Sequence, residues 1–144
     1  MSLLLNIDVP DVEAAERFYS AAFGLKVGRR FGTDFVELLG WPATVYLLTK
    51  QAGTVGAGGD LRRYSRHWTP VHVDIVVDDV DAAVERAVRA GAKLESAAKD
   101  APYGRIAMLA DPFGHGFCLL QFSERGYDAL LSEGSNRATA TTAG

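Results

Sequence analysis

The chain repeats itself, and the repeat limits its possible folds more than any other feature. DVEAAERF begins at Asp11 and DVDAAVER at Asp79; TVYLL begins at Thr44 and GFCLL at Gly116. These landmarks stand farther apart in the second copy, which implies extra loop there, around residues 99–104. Each copy reads β-α-β-β-β. In the first, residues 3–9 alternate, with Leu4, Asn6 and Asp8 on one face and Leu3, Leu5, Ile7 and Val9 on the other. Pro10 ends that strand, Asp11 is the expected N-cap, and Glu13 adds negative charge to the first turn. Val12, Ala15, Phe18, Tyr19 and Ala22 recur at helical spacing, and Gly24 closes the helix. Strands are expected over residues 26–31, 34–39 and 44–50, with Gly32, Gly40 and Pro42 in the breaks. The second copy runs from a strand over 71–77 through a helix capped by Asp79 and closed by Gly91. Strands over 93–98, 105–110 and 116–122 follow, the last two joined by an Asp111-Pro112-Phe113-Gly114 turn.

One such unit has a sheet face that it cannot bury alone. Two side by side make a curved sheet with a cleft of the kind that holds small ligands. The expected fold is therefore α+β: two βαβββ modules, residues 3–50 and 71–122, forming a curved mixed sheet with a central cleft and helices on the outer face. Residues 1–122 make one domain. Residues 51–70 read as a solvated linker, 123–132 as a short terminal helix, and 133–144, with no apolar residue larger than alanine, as a disordered tail.

At 144 residues the chain has enough core to fold without a metal or disulfide. A net charge of −3 and a pI near 5.6 argue against a nucleic-acid partner, which would demand a basic surface. No apolar run approaches the roughly 18 residues of a membrane span, and no signal-peptide pattern opens the chain. A single cysteine, Cys118, has no internal disulfide partner, so a reducing cytoplasm is the expected home.

The helix openings DVEAAERFY and DVDAAVERA, with the closing DPFGHGFCLL, resemble the vicinal-oxygen-chelate superfamily, which includes glyoxalases, bleomycin-resistance proteins and ring-cleaving dioxygenases. The resemblance covers residues 3–122. It implies a divalent metal in the cleft, held by His or Gln, Glu, His and Glu at positions that fall here on Leu4, Tyr46, His72 and Cys118. Only His72 is of the implied type. Leucine cannot bind a metal, tyrosine binds only as phenolate, and cysteine suits zinc as thiolate. Magnesium and manganese would find no carboxylate at these four positions, and a dioxygenase iron site would lack its second histidine. The expectation is therefore no cofactor and no metal, with a small apolar or aromatic molecule bound in the cleft. A glyoxalase-type lyase or isomerase is the alternative, its one divalent ion held by His72 with Asp74, Glu37 or a second subunit. The resemblance also implies a homodimer.

His72 and Cys118 are the candidate catalytic residues. His72 is a ligand, a general base or a polar anchor, or else a cleft-lining histidine bonded to a neighbour. Cys118 is a nucleophile served by His72, or a small buried residue. Asn6, Asp8 and Asp74 share the inward parity of Leu4 and His72. Trp41, Tyr46, Trp68, Tyr103 and Phe113 are candidates for stacking on a flat ligand. Arg62, Arg63 and Arg66 either meet an anionic group or stay in solvent. The candidate ligand-binding set is thus Asn6, Trp41, Tyr46, Trp68, His72, Tyr103 and Cys118.

Overall fold

The computed structural model describes residues 1–131, in two modules. The first comprises β1 (Leu4–Val9), α1 (Val12–Phe23), β2 (Lys26–Arg30), β3 (Phe35–Leu39) and β4 (Thr44–Thr49). The second comprises β5 (Val73–Val76), α2 (Val80–Ala90), β6 (Lys93–Ala101), β7 (Gly104–Ala110) and β8 (Gly116–Phe122). The sheets have the same order, β1-β4-β3-β2 and β5-β8-β7-β6. In each, the first strand runs parallel to the last and the others are antiparallel. The fold is α+β, as the repeat requires. No ladder joins the two sheets; β1 and β5 are the edges that face the gap between modules.

Capping fixes where each helix starts. Asp11 Oδ1 accepts from the Glu13 and Ala14 N–H groups at 2.9 and 3.0 Å, and Asp79 Oδ1 accepts from the Ala82 N–H at 3.0 Å. Each bond satisfies a donor that has no partner inside the helix. Gly24 and Gly91 stop the helices with φ of 69° and 116°, a region closed to most side chains.

The two-residue period of the strands then sorts their side chains. Val45 and Leu47 on β4, and Phe117 and Leu119 on β8, turn toward the helices and are buried. They join Phe18 and Ala22 of α1 and Ala83 and Ala87 of α2 in one core. Arg86 ties the helices together by donating from Nε to the Ala22 carbonyl at 2.8 Å, near the negative end of α1. Tyr46 and Cys118 consequently lie on the opposite face of their sheets, away from the helices.

Two expectations change. The extra residues of the second copy are not loop: Lys99, Asp100 and Ala101 pair with Ile106, Arg105 and Gly104, so they lengthen the β6–β7 hairpin. A loop there would leave backbone groups unpaired that the hairpin satisfies. At its tip, Gly104 has φ of 149°, and a Cβ there would stand 2.0 Å from the Gln121 carbonyl oxygen. Gly104→Ala is expected to destabilise the fold by at least about 3 kcal/mol by joining backbone strain to a steric clash, measured by urea unfolding.

Residues 51–70 are a strap rather than a solvated linker. Arg62 Nε donates to Asp8 at 2.7 Å, the Tyr64 hydroxyl donates to the Lys50 carbonyl at 2.5 Å, and Arg66 grips Glu95 with two bonds of 2.6 and 2.9 Å. The charges of the strap find partners on both modules, which pins it across the gap. The short terminal helix is a 3-10 turn at Gly126–Leu130. The tail expected to be disordered, 133–144, lies outside the described residues.

Candidate functional site

Because β1 and β5 do not pair, the space between them stays open. It holds a cavity of about 530 Å³, within the usual range for small-molecule sites. Leu5 and Ile7 of β1 line it opposite Val73 and Ile75 of β5, with Trp41 and Phe117 completing apolar walls. A neighbouring cavity of about 430 Å³ shares Leu5, Trp41, Val73 and Ile75. The strap contributes Arg63, His67 and Thr69, and the β7–β8 turn contributes Phe113 and His115. All three histidines of the chain, His67, His72 and His115, border this one space.

The polar end is built around a buried carboxylate. Asp111 is 4% exposed. Its Oδ1 accepts from the Phe113 and His115 N–H groups, both at 2.9 Å. Its Oδ2 accepts from the Tyr19 hydroxyl and from His115 Nδ1, both at 2.8 Å. Burial, with the Asp111 charge alongside, holds the Tyr19 hydroxyl well above its ordinary pKa, so it remains a donor.

A second cluster lies on the helix-free face of the second sheet. His72 Nδ1 lies 3.0 Å from Asp74 Oδ1 and 3.9 Å from Cys118 Sγ. The Trp68 ring stands 5.6 Å from that of His72. In the first module the equivalent positions are Leu4, Asn6 and Tyr46, by strand register. Tyr46 instead donates its hydroxyl to Glu37 Oε2 at 2.9 Å, and Arg29 grips the same carboxylate at 3.0 and 2.5 Å. Those bonds from Arg29 hold Glu37 down at about 2 despite its burial. The stability Glu37 contributes is present above its ordinary pKa of 4.5 and is lost as pH falls through about 2. Arg29→Met is expected to flatten the loss of stability between pH 5 and pH 2, measured by thermal melts across that range.

Cys118 does not have the thiolate that a nucleophile needs. Burial first, then the neighbouring Asp74 carboxylate, push its thiol up to about 11. Alkylation of Cys118 at pH 7 is expected to be slower than that of an exposed cysteine by about a hundredfold or more, rising about tenfold per pH unit through pH 10. A plateau near pH 8.5 in the iodoacetamide rate would contradict this.

Of the ligand-binding set, Asn6, Trp41 and His72 line the large cavity, as does Phe113. Trp68, His72 and Cys118 border a small recess beside it. Tyr46 belongs to the Glu37 cluster. Tyr103 stands apart: its ring packs on Tyr127 at 5.2 Å, at the hairpin tip. The lengthened β6–β7 hairpin carries it there. Tyr19, Asp111, His67 and His115 are absent from the expected set, although the Asp-x-x-x-His spacing at Asp111 was a usable signal. Arg62 and Arg66 are engaged by carboxylates, and Arg63 lines the cavity.

Known proteins share both sequence and fold with this chain. The anthracycline biosynthesis protein DnrV of Streptomyces peucetius is 37% identical over 127 residues, 86% of this chain and 42% of that protein. The chain spans about two fifths of the length of the anthracycline relatives it matches. A glyoxalase/bleomycin resistance protein/dioxygenase family enzyme from Burkholderia phytofirmans matches in structure with a TM-score of 0.64 at 20% identity, over 83% of this chain and 97% of that one. The fosfomycin resistance protein FosX of Listeria monocytogenes matches with a TM-score of 0.67 at 15% identity, over 91% and 98%. At such identities the structural likeness establishes the fold alone. The sequence model of the glyoxalase-like domain matches residues 5–120, from β1 to β8. A match across both modules means that the chain belongs to the glyoxalase-like domain family of the vicinal-oxygen-chelate superfamily.

Proposed function

We propose that this domain binds a small, largely apolar or aromatic molecule in the cavity between its modules, without a metal. One observation supports it most: a cavity of about 530 Å³ whose walls are mostly aliphatic and aromatic, with a few polar groups from the strap, the β7–β8 turn, β1 and His72. Apolar walls supply affinity through burial, and a few placed polar groups fix orientation. The anthracycline biosynthesis relatives point to planar polycyclic aromatics as the ligand class to test first. Titration of the protein with 2-hydroxyanthraquinone in EDTA, followed by tryptophan fluorescence, is expected to give saturable one-to-one quenching through Trp41. Linear, non-saturating quenching would reject the reading.

A second reading rests on the His72, Asp74 and Cys118 donors, which all lie within 4.8 Å of one another. Nitrogen, carboxylate and thiol donors fit zinc better than magnesium or calcium. A bound ion would supply Lewis-acid polarisation of a carbonyl, the requirement of a glyoxalase-type lyase or isomerase. The thiol must lose a proton to serve, and its raised pKa opposes that. The Leu4, Asn6 and Tyr46 positions of the first module offer no matching set. Metal binding therefore ranks second.

The binding reading includes a homodimer. Leu4, Leu39, Val76 and Phe122 are exposed large hydrophobics on the helix-free faces of both sheets, and a second copy would cover them. Light scattering is expected to give twice the 15.5 kDa chain mass; a monomer at about 100 µM protein would contradict the dimer.

A further inference from the structure

The Asp111–His115 pair is built more tightly than a turn requires. An Asp-Pro-x-Gly turn needs one carboxylate oxygen to accept the N–H groups that follow it, and Oδ1 does this for Phe113 and His115. Oδ2 does something else. It receives the Tyr19 hydroxyl from α1 and the ring of His115, inside a side chain with no solvent exposure. With Oδ2 accepting, His115 Nδ1 is the donor of the pair. That fixes the tautomer and leaves Nε2 as the basic nitrogen, with no hydrogen bond to it among the described residues. The ring is 36% exposed and lines the cavity. An imidazole with one edge held by a buried carboxylate and the other presented to a ligand is the arrangement by which a histidine takes up a proton.

We propose that His115 Nε2 accepts the proton, or the hydrogen bond, of an acidic hydroxyl on the bound molecule, a phenol or an enol, with Asp111 as its positioning residue. The proposal rests on the cavity being the ligand site and adds the functional group recognised there. When transfer is complete, the O–H electron pair stays on the ligand oxygen, the proton sits on Nε2, and the imidazolium faces the Asp111 carboxylate across Nδ1. The surroundings suit that charge pair. Tyr19 from α1 bonds Asp111 without adding charge, and Tyr64 of the strap places its ring 6.2 Å from that of His115. Arg63, His67 and His72 line the same space. Asp8 on β1 is held by Arg62, and Arg66 is held by Glu95. Arg63 is the cation that would favour a ligand oxyanion.

The test compares 2-hydroxyanthraquinone with its methyl ether, read by tryptophan quenching and by the red shift of the phenolate band. In the natural protein the hydroxyl compound is expected to bind about tenfold or more tighter, as for a charge-assisted hydrogen bond, and to show the red-shifted band at a pH where the free compound does not. His115→Phe keeps a ring in place and leaves Asp111 its Tyr19 and backbone donors. It should bind both compounds equally, with no shift. His115→Gln should retain part of the preference, because its amide oxygen accepts, and lose the shift, because it takes up no proton. Asp111→Asn puts an amide donor against Nδ1, drives the proton to Nε2 and should abolish the preference. Equal binding of both compounds to the natural protein would overturn the proposal and leave the cavity reading intact. So would a preference that survives His115→Phe. Failure of both compounds to bind would overturn the cavity reading and the proposal together.

Discussion

Replacing Asp111 with alanine is expected to lower stability by about 3–5 kcal/mol, the cost of breaking a buried charged network, and Tm by roughly 12–20 °C for a domain of this size. The carboxylate accepts four hydrogen bonds, two from its own turn, one from α1 and one from His115. Alanine would leave the buried Tyr19 hydroxyl and the Phe113 N–H without partners. Tyr19→Phe removes donor and demand together and should cost only about 1 kcal/mol. Urea unfolding of the two variants measures the difference. Equal losses would mean that Asp111 acts through the turn alone and that its link to the first module carries little.

The second large effect concerns affinity. Ile75 borders both the large cavity and its neighbour. Ile75→Trp is expected to fill the gap between β1 and β5 and to weaken binding of 2-hydroxyanthraquinone by about a hundredfold or more. The enlarged side chain should cost about 1–3 kcal/mol of stability, which leaves a folded protein to assay. Circular dichroism reports the fold and fluorescence titration reports the affinity. Unchanged affinity in a folded Ile75→Trp protein would place the ligand elsewhere, with the helix-free sheet faces as the next site to examine.

Much of the architecture was legible because it follows from local rules. The repeated Asp caps and Gly stops fix α1 and α2 within a residue, and the strand period places Tyr46 and Cys118 on one kind of face and Leu47 and Leu119 on the other. The α+β class followed from the two copies, and the resemblance to the superfamily from DVEAAERFY, DVDAAVERA and DPFGHGFCLL. The site was only half legible. Asn6, Trp41 and His72 reach the cavity, because strand parity and loop position hold locally. Tyr103 does not, because extra residues in the second copy extended a hairpin rather than a loop, and hairpin pairing depends on a partner strand. The sequence leaves Arg62 and Arg66 open between an anionic partner and solvent, because their partners, Asp8 and Glu95, are remote in sequence. The Asp111–Tyr19 bond was hidden for the same reason, since α1 and the β7–β8 turn meet only after the modules pack. Long-range polar pairing, rather than propensity, separates what the chain declares from what the fold decides.

No helix among the described residues is long and apolar enough to cross a membrane.

Binding without a metal is measured by titrating protein dialysed against EDTA, and shown by elemental mass spectrometry to carry almost no metal, with 2-hydroxyanthraquinone. One ligand per cavity is expected, with an affinity unchanged when zinc is restored and the same within about threefold in Cys118→Ala, for a residue outside the binding contacts. Binding that appears only with zinc, at about one ion per chain and lost in Asp74→Ala, would contradict it and make the His72, Asp74 and Cys118 cluster a metal centre.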